Sequence, residues 1–271
     1  MMAEVETSQE APPEGQAAEA RELLLHKLPV TERIVEAAGV STAVLEGGEG
    51  PPLVLLHGPG ESSLWWMRVL PELVTTHSVV VPDLPGHGES KLTDNPLTSD
   101  SVLEWLDTVI GRTTAEPPVL VGHLLGGAIA ARFAAERGDR IERLVLVDSL
   151  GLGRFRPSPL FMFGLVRFMV RSNERSYDSF LGQCMLDQGR LVREMGEDWE
   201  PFVTYSFARS RSPDVKAAMR TLMKQLGVRA IPVDTLGSIS VPTPWSGVGR
   251  TRRSASVSPR MPTGDSGGPY T

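Results

Sequence analysis

"VLVGHLLGGAIAARFA", residues 119–134, decides the fold of this chain. A short apolar run closes on Gly122, glycines recur at 126 and 127, and small and apolar residues continue at helical spacing. The pattern predicts a strand, a sharp turn and a helix, with Leu124 at the apex. Glycines on either side of such an apex let strand and helix approach closely, because no Cβ stands between them. A turn of this kind serves to present a reactive side chain, and leucine has no nucleophilic atom. The signal for architecture and the signal for chemistry part at one residue.

On both sides of this stretch apolar β-type runs alternate with helical patterns. RIVEAA (33–38), STAVLE (41–46), PLVLLH (52–57), HSVVVPD (77–83), PVLVG (118–122) and RLVLVD (143–148) read as strands. SLWWMRVLPEL (63–73), SDSVLEWLDTVIG (99–111) and LLGGAIAARFAAERG (124–138) read as helices. Apolar strands separated by helices imply an α/β fold, with a mainly parallel sheet flanked by helices. Residues 1–22 are acidic and rich in Ala, Pro and Gly, and are expected to be disordered. Residues 23–149 form the expected core. Residues 150–236, rich in Phe, Met and Arg at helical spacing, are an expected helical cap insertion. Residues 237–244 begin a return to the core, and 245–271 form an irregular Ser/Gly/Pro/Arg-rich tail. The C-terminal part of the sheet is therefore expected to be incomplete, with self-association through its exposed edge.

A chain of 271 residues with 41% hydrophobic residues can bury a sizeable core. The net charge of -6 is unevenly spread, because residues 1–22 hold six glutamates against Arg21. The remainder is close to neutral and makes no case for nucleic acid or an anionic membrane as partner. The single cysteine, Cys184, excludes an internal disulfide and fits a cytoplasmic location. No basic and apolar leader opens the sequence. PLFMFGLVRFMV (159–170) is shorter than the roughly 20 residues a membrane span needs and contains Arg167.

Four segments carry a resemblance to the α/β-hydrolase superfamily, in the group of capped esterases, epoxide hydrolases, dehalogenases and C–C bond hydrolases. VLLHGPG (54–60) resembles the family's HG-x loop after the third strand. VVVPDLPGHGES (79–90) is similar to its D-x-x-G-x-G-x-S segment. VGHLLGG (121–127) resembles its G-x-S-x-G-G elbow everywhere except the serine, and RLVLVDSLG (143–151) looks like its sixth strand. The four stand in the family's order over residues 30–243. The resemblance implies an α/β-hydrolase fold and, by descent, hydrolysis of small esters, epoxides or C–C bonds, without cofactor or metal.

The resemblance implies a nucleophile, an acid and a histidine base. Leu124 leaves the nucleophile position vacant, for serine and for aspartate alike. The family's triad runs nucleophile, acid, histidine. The histidines here are 26, 57, 77, 87 and 123, so none follows the elbow. Asp148, ending the sixth strand, is a weak candidate for an alternative acid, and a turn cap is its plainer reading. His123 beside the apex is a pocket-wall residue, with a nucleophilic role as the remote alternative. The implied oxyanion donors are the Leu125 N–H and the residue after HG, which is Pro59 and has no N–H. Gly60 is the substitute donor on that loop, and His57 is expected to hold the loop by hydrogen bonding. The expected function is a catalytically impaired hydrolase. A non-catalytic protein binding a small apolar ligand between cap and core is one alternative, and an active hydrolase with unusual residues is another.

Two features of the tail stand apart. GDSGGP (264–269) matches the nucleophile motif of trypsin-like proteases, but five residues follow Ser266 and no β-barrel pattern precedes it. Chance in a Gly/Ser/Pro-rich tail is the better account. In the superfamily, VPT is followed by a strand reading like L-V/I-W-G-R-x-D, which delivers the acid. Here PWSGVGRT follows instead. Codons for Trp-Ser-Gly-Val-Gly-Arg-Thr can encode L-V-W-G-R-A-D in another frame, so a frame change near Pro244 is expected.

Overall fold

The computed structural model describes residues 14–93, 96–171, 173–185 and 187–246. The chain order is α1 (Glu14–His26), β1 (Thr31–Ala37), β2 (Val40–Gly47), β3 (Pro52–Leu56), α2 (Leu70–Leu73), β4 (Ser78–Pro82), β5 (Lys91–Leu92), α3 (Ser99–Thr113), β6 (Val119–His123), α4 (Leu125–Arg137) and β7 (Arg143–Val147). There follow α5 (Pro159–Arg171), α6 (Glu174–Cys184), α7 (Gln188–Met195), α8 (Trp199–Arg211), α9 (Pro213–Leu222), α10 (Val233–Gly237) and β8 (Trp245–Ser246). The sheet order is β1-β2-β4-β3-β6-β7-β8, with β5 on β2. The β1–β2, β2–β4 and β2–β5 pairs are antiparallel and the others parallel. This is the mainly parallel, helix-flanked sheet expected.

Alternation along the strands assigns the two faces. Val54, Leu56, Val80, Leu120, Leu144 and Leu146 point to the side covered by α3 and α4, against Trp105, Ile129 and Phe133. Leu53, Leu55, Val79, Val81 and Val121 point to the other side, against α1 and the helices after β7. Each such fully buried aliphatic side chain contributes about 1.5–3 kcal/mol. Where a polar tip enters this core it is satisfied, as when Trp105 Nε1 donates to Thr42 Oγ1 at 2.9 Å. The β1–β2 hairpin turns on two residues, Ala38 (φ 45°) and Gly39 (φ 80°), the left-handed pair that a tight two-residue hairpin requires.

Three expectations change. Residues 14–22 are not disordered, because they belong to α1. Ala17, Ala20 and Leu24 form a buried stripe, and Arg21 binds Glu32 of β1 while its guanidinium lies 5.9 Å from the Tyr205 ring of α8. Lys27, just past the helix, reaches Glu197 and Asp198 at 2.6 and 2.7 Å. Composition alone does not reveal a helix whose partners lie far along the chain. The helix read over 63–73 is two short pieces, a 3-10 turn at Ser63–Trp66 and α2. Pro71 stands in the first turn of the second piece, where its missing N–H does no harm, and it could not sit inside one continuous helix. Third, residues 245–246 of the expected irregular tail form β8, pairing Leu146 with Trp245 and Val147 with Ser246. GDSGGP and nearly all of the segment expected to follow a frame change lie outside the described residues.

Helices α5 to α10 occupy the segment between β7 and β8; α7 and α8 lie over part of the sheet's second face, while Leu222, Leu226, Ile231 and Leu236 pack into the first-face cluster beside α4. Met195, Phe202 and Tyr205 from this insertion join the same buried cluster as Leu24 and the strand residues. Cys184 is exposed at the end of α6. Among the described residues, no helix is long and apolar enough to cross a membrane.

Candidate active site

The strand–turn–helix formed by β6 and α4 is built around Leu124. Its φ of 47° and ψ of −107° lie in a region that side-chain-bearing residues seldom adopt, at a cost of about 1–3 kcal/mol. The surroundings impose it. Leu124 N donates to Val147 O at 3.1 Å, and Leu124 O accepts from Ala128 N and Leu150 N at 3.1 and 3.0 Å. A Cβ on Gly122 would stand 2.5 Å from Gly126 O. One on Gly126 would stand 2.5 Å from Leu56 O. The elbow is thus complete as backbone, and what it presents is a half-buried isobutyl group.

The loops after β3 and β4 are tied together beneath this elbow. His57 is fully buried, and its Nε2 accepts from Leu84 N at 2.9 Å, which leaves Nδ1 to donate to Gly58 O at 2.8 Å. Burial lowers its pKa, against the raising effects of Asp83 and Glu61, so it stays neutral. His57 O in turn accepts from Gly126 N at 3.1 Å, linking the HG loop to the elbow helix. Asp83, also fully buried, accepts from Ser63 N at 2.6 Å and Glu89 N at 2.8 Å. His57 and Asp83 hold loops, and both have their polar atoms committed to backbone.

Sequence reading missed Glu61. It is 8% exposed, accepts from Gly58 N at 2.6 Å through Oε2, and the same oxygen lies 3.2 Å from His123 Nδ1. Burial lowers the His123 pKa, but the hydrogen bond to Glu61 and the charges of Glu61 and Asp148 outweigh it, and the net direction is up. The Trp66 ring stands edge-on to His123 with centroids 6.4 Å apart. The only sequence signal for Glu61 was an acidic residue four positions after His57, in a loop that must be buried.

The remaining expected positions fall around this pair. Leu125 is buried as the first residue of α4, and Pro59 and Gly60 are half-buried on the HG loop. Gly60 has φ 74°, and a Cβ there would lie 3.2 Å from Met219 Sδ of α9. Asp148 is exposed at the end of β7 with φ 46°, a conformation aspartate tolerates in turns. The insertion closes over the site. Tyr177 of α6 is buried, and its phenol is pushed up first by that burial and then by the Glu61 charge. Ser62 Oγ and Trp66 Nε1 are buried here without a hydrogen-bond partner among the described residues. Among the described residues, no group of three or more His, Cys, Asp or Glu side chains is placed to hold a metal.

Comparison with known proteins agrees with this fold. A family model described as the alpha/beta hydrolase fold matches residues 51–189, just over half of the chain. The chain is 35% identical over 130 residues to 2-hydroxymuconate semialdehyde hydrolase of Pseudomonas sp. (strain CF600), covering 46% of this chain and 45% of that one. It is 35% identical over 123 residues to pimeloyl-[acyl-carrier protein] methyl ester esterase of Aeromonas hydrophila, covering 45% and 44%. The chain thus spans under half the length of these curated relatives. Among solved structures, carboxylesterase CesB from Bacillus subtilis superposes with a TM-score of 0.68 at 19% identity, covering 85% of this chain and 78% of that one. A 2-hydroxy-6-oxo-6-phenylhexa-2,4-dienoate hydrolase from Rhodococcus sp. strain RHA1 gives 0.64 at 24% identity, covering 80% and 82%.

Proposed function

Because the chain belongs to the alpha/beta hydrolase fold family, we propose that it is a catalytically impaired member that keeps the elbow as a binding platform for a small apolar ligand. The observation that carries this reading is Leu124. The elbow aims one side chain at the site, and that side chain can neither attack a carbonyl nor displace a leaving group. One further feature supports it. Pro59 has no N–H to offer an oxyanion, and the neighbouring Gly58 N–H is engaged by Glu61. The ligand class follows the relatives, which are named as a semialdehyde hydrolase and a methyl ester esterase. Small methyl esters are therefore the first compounds to try, with 2-hydroxymuconate semialdehyde beside them. The buried, unpartnered Ser62 Oγ and Trp66 Nε1 are the polar atoms a bound ligand would satisfy. We place the protein in the cytoplasm, on its single cysteine.

The deciding experiment is an ester, epoxide and C–C substrate screen of the native chain beside Leu124→Ser, with thermal-shift measurement of the same compounds. The reading expects ligand-induced shifts without turnover in the native chain. Native turnover that dies on replacing His123 would overturn it and assign the histidine a catalytic role.

A further inference from the structure

The insertion carries a face that neither the core nor the elbow uses. Helix α5 turns Gly164 and Phe168 inward, where Phe168 stacks on Phe180 with ring centroids 5.8 Å apart. Outward it presents Leu160, Met162, Phe163, Val166, Met169 and Val170, between 38% and 78% exposed. Positions 160, 163, 166 and 170 follow helical spacing and line one side of the helix. Single exposed apolar residues are ordinary, but six on a 13-residue helix form a contiguous patch.

The charges beside this patch are of one sign. From Ser149 to Asn173 there are four arginines, Arg154, Arg156, Arg167 and Arg171, and no aspartate or glutamate. All four are exposed. Arg167 and Arg171 sit one turn apart at the border of the apolar side, and Arg154 and Arg156 flank the exposed Phe155 on the segment leading into α5. The near-neutral charge of residues 23–271 conceals this local segregation.

We infer that α5 and the segment before it dock on the surface of an anionic lipid bilayer. Leu160, Phe163, Val166 and Val170 would enter the boundary between headgroups and acyl chains, and the arginines would meet lipid phosphates. Guanidinium groups suit that anion, and an amphipathic helix binds an interface when buried apolar area and electrostatic attraction act together. At about 20 Å long, α5 lies in the plane of the interface. A second copy of this chain is the poorer fit, because a two-fold contact sets each basic border against its own equivalent.

The test is co-sedimentation of the full chain with vesicles of phosphatidylcholine alone and of phosphatidylcholine with about one-third phosphatidylserine. The native chain is expected to bind only the anionic vesicles. Partition should fall about fivefold for each arginine replaced, so Arg167→Gln with Arg171→Gln loses about 25-fold. Phe163→Glu with Val170→Glu should abolish binding while the circular dichroism and melting curve stay native, since both side chains are exposed. Absence of native binding to anionic vesicles overturns the inference, as does binding that neither variant alters. A native dimer made monomeric by Phe163→Glu with Val170→Glu, with no vesicle binding by either protein, also overturns it and assigns the face to a second copy.

Discussion

Replacing Gly126 by alanine tests whether close approach at the elbow, rather than helix propensity, governs this position. The new Cβ would stand 2.5 Å from Leu56 O and 2.6 Å from His57 O, both backbone atoms of one strand end. Ordinary contact begins at 3.4 Å, so α4 must retreat from β3 by about 0.9 Å. That retreat lengthens the Gly126 N to His57 O bond, now 3.1 Å, past any useful distance. Losing a buried backbone bond costs about 1–3 kcal/mol. Loosening Leu125 and Ile129, both fully buried, adds about 1–3 kcal/mol. The helix gains about 1 kcal/mol from exchanging glycine for alanine. The net expectation is a loss of about 1–5 kcal/mol, read as a urea-midpoint shift, with melting lowered by about 3–15 °C. Gly15→Ala is the control, because nothing lies within 4 Å of a Cβ there, and it should be neutral or slightly stabilising. A Gly126→Ala protein within 1 kcal/mol of native would refute the argument that the glycine is required by proximity.

Three further outcomes follow from the geometry. Glu61→Gln keeps an acceptor for Gly58 N–H but removes the charge, so the His123 pKa should fall below its native value in an NMR titration. Because the folded His123 pKa is raised, its pairing stabilises the native chain fully below the unfolded value near 6.5 and is lost as pH rises through the folded pKa. The stability gap between native and Glu61→Gln should therefore be widest at acid pH and narrow toward alkaline pH, and a gap that widens instead refutes the pairing. Asp83→Asn exchanges one acceptor of two buried N–H groups for a donor and should cost about 2–3 kcal/mol by urea denaturation. Arg21→Met keeps the apolar stem but loses the Glu32 pair, which is partly exposed, so about 1 kcal/mol and faster proteolysis within α1 are expected.

The parts of the fold legible in sequence were those with local causes. Alternating Val and Leu in β3, β4, β6 and β7 follow from the two faces of a buried sheet, and the elbow glycines from the contact of one strand with the next helix. What escaped reading depends on partners distant in sequence. The α1 stripe of Ala17, Ala20 and Leu24 is small and set among glutamates, and its meaning comes from α8, almost 180 residues away. Glu61 reads as an ordinary loop acid, because burial of its carboxylate requires an N–H from Gly58 and a ring from His123, delivered by separate strands. The apex itself was fully legible. Leucine in a strained turn is a statement about chemistry that one residue can make.

The position of α1 has a mechanical consequence. This helix is fastened at once to the sheet, through Arg21 and Glu32, and to the insertion, through Tyr205 and the Lys27 contacts with Glu197 and Asp198. Any swing of α8 away from the strands must therefore slide past or detach a rod riveted to both bodies. Access to the elbow from that side is geared to the seating of α1, and a ligand or partner that grips α1 would act as a brake on the door.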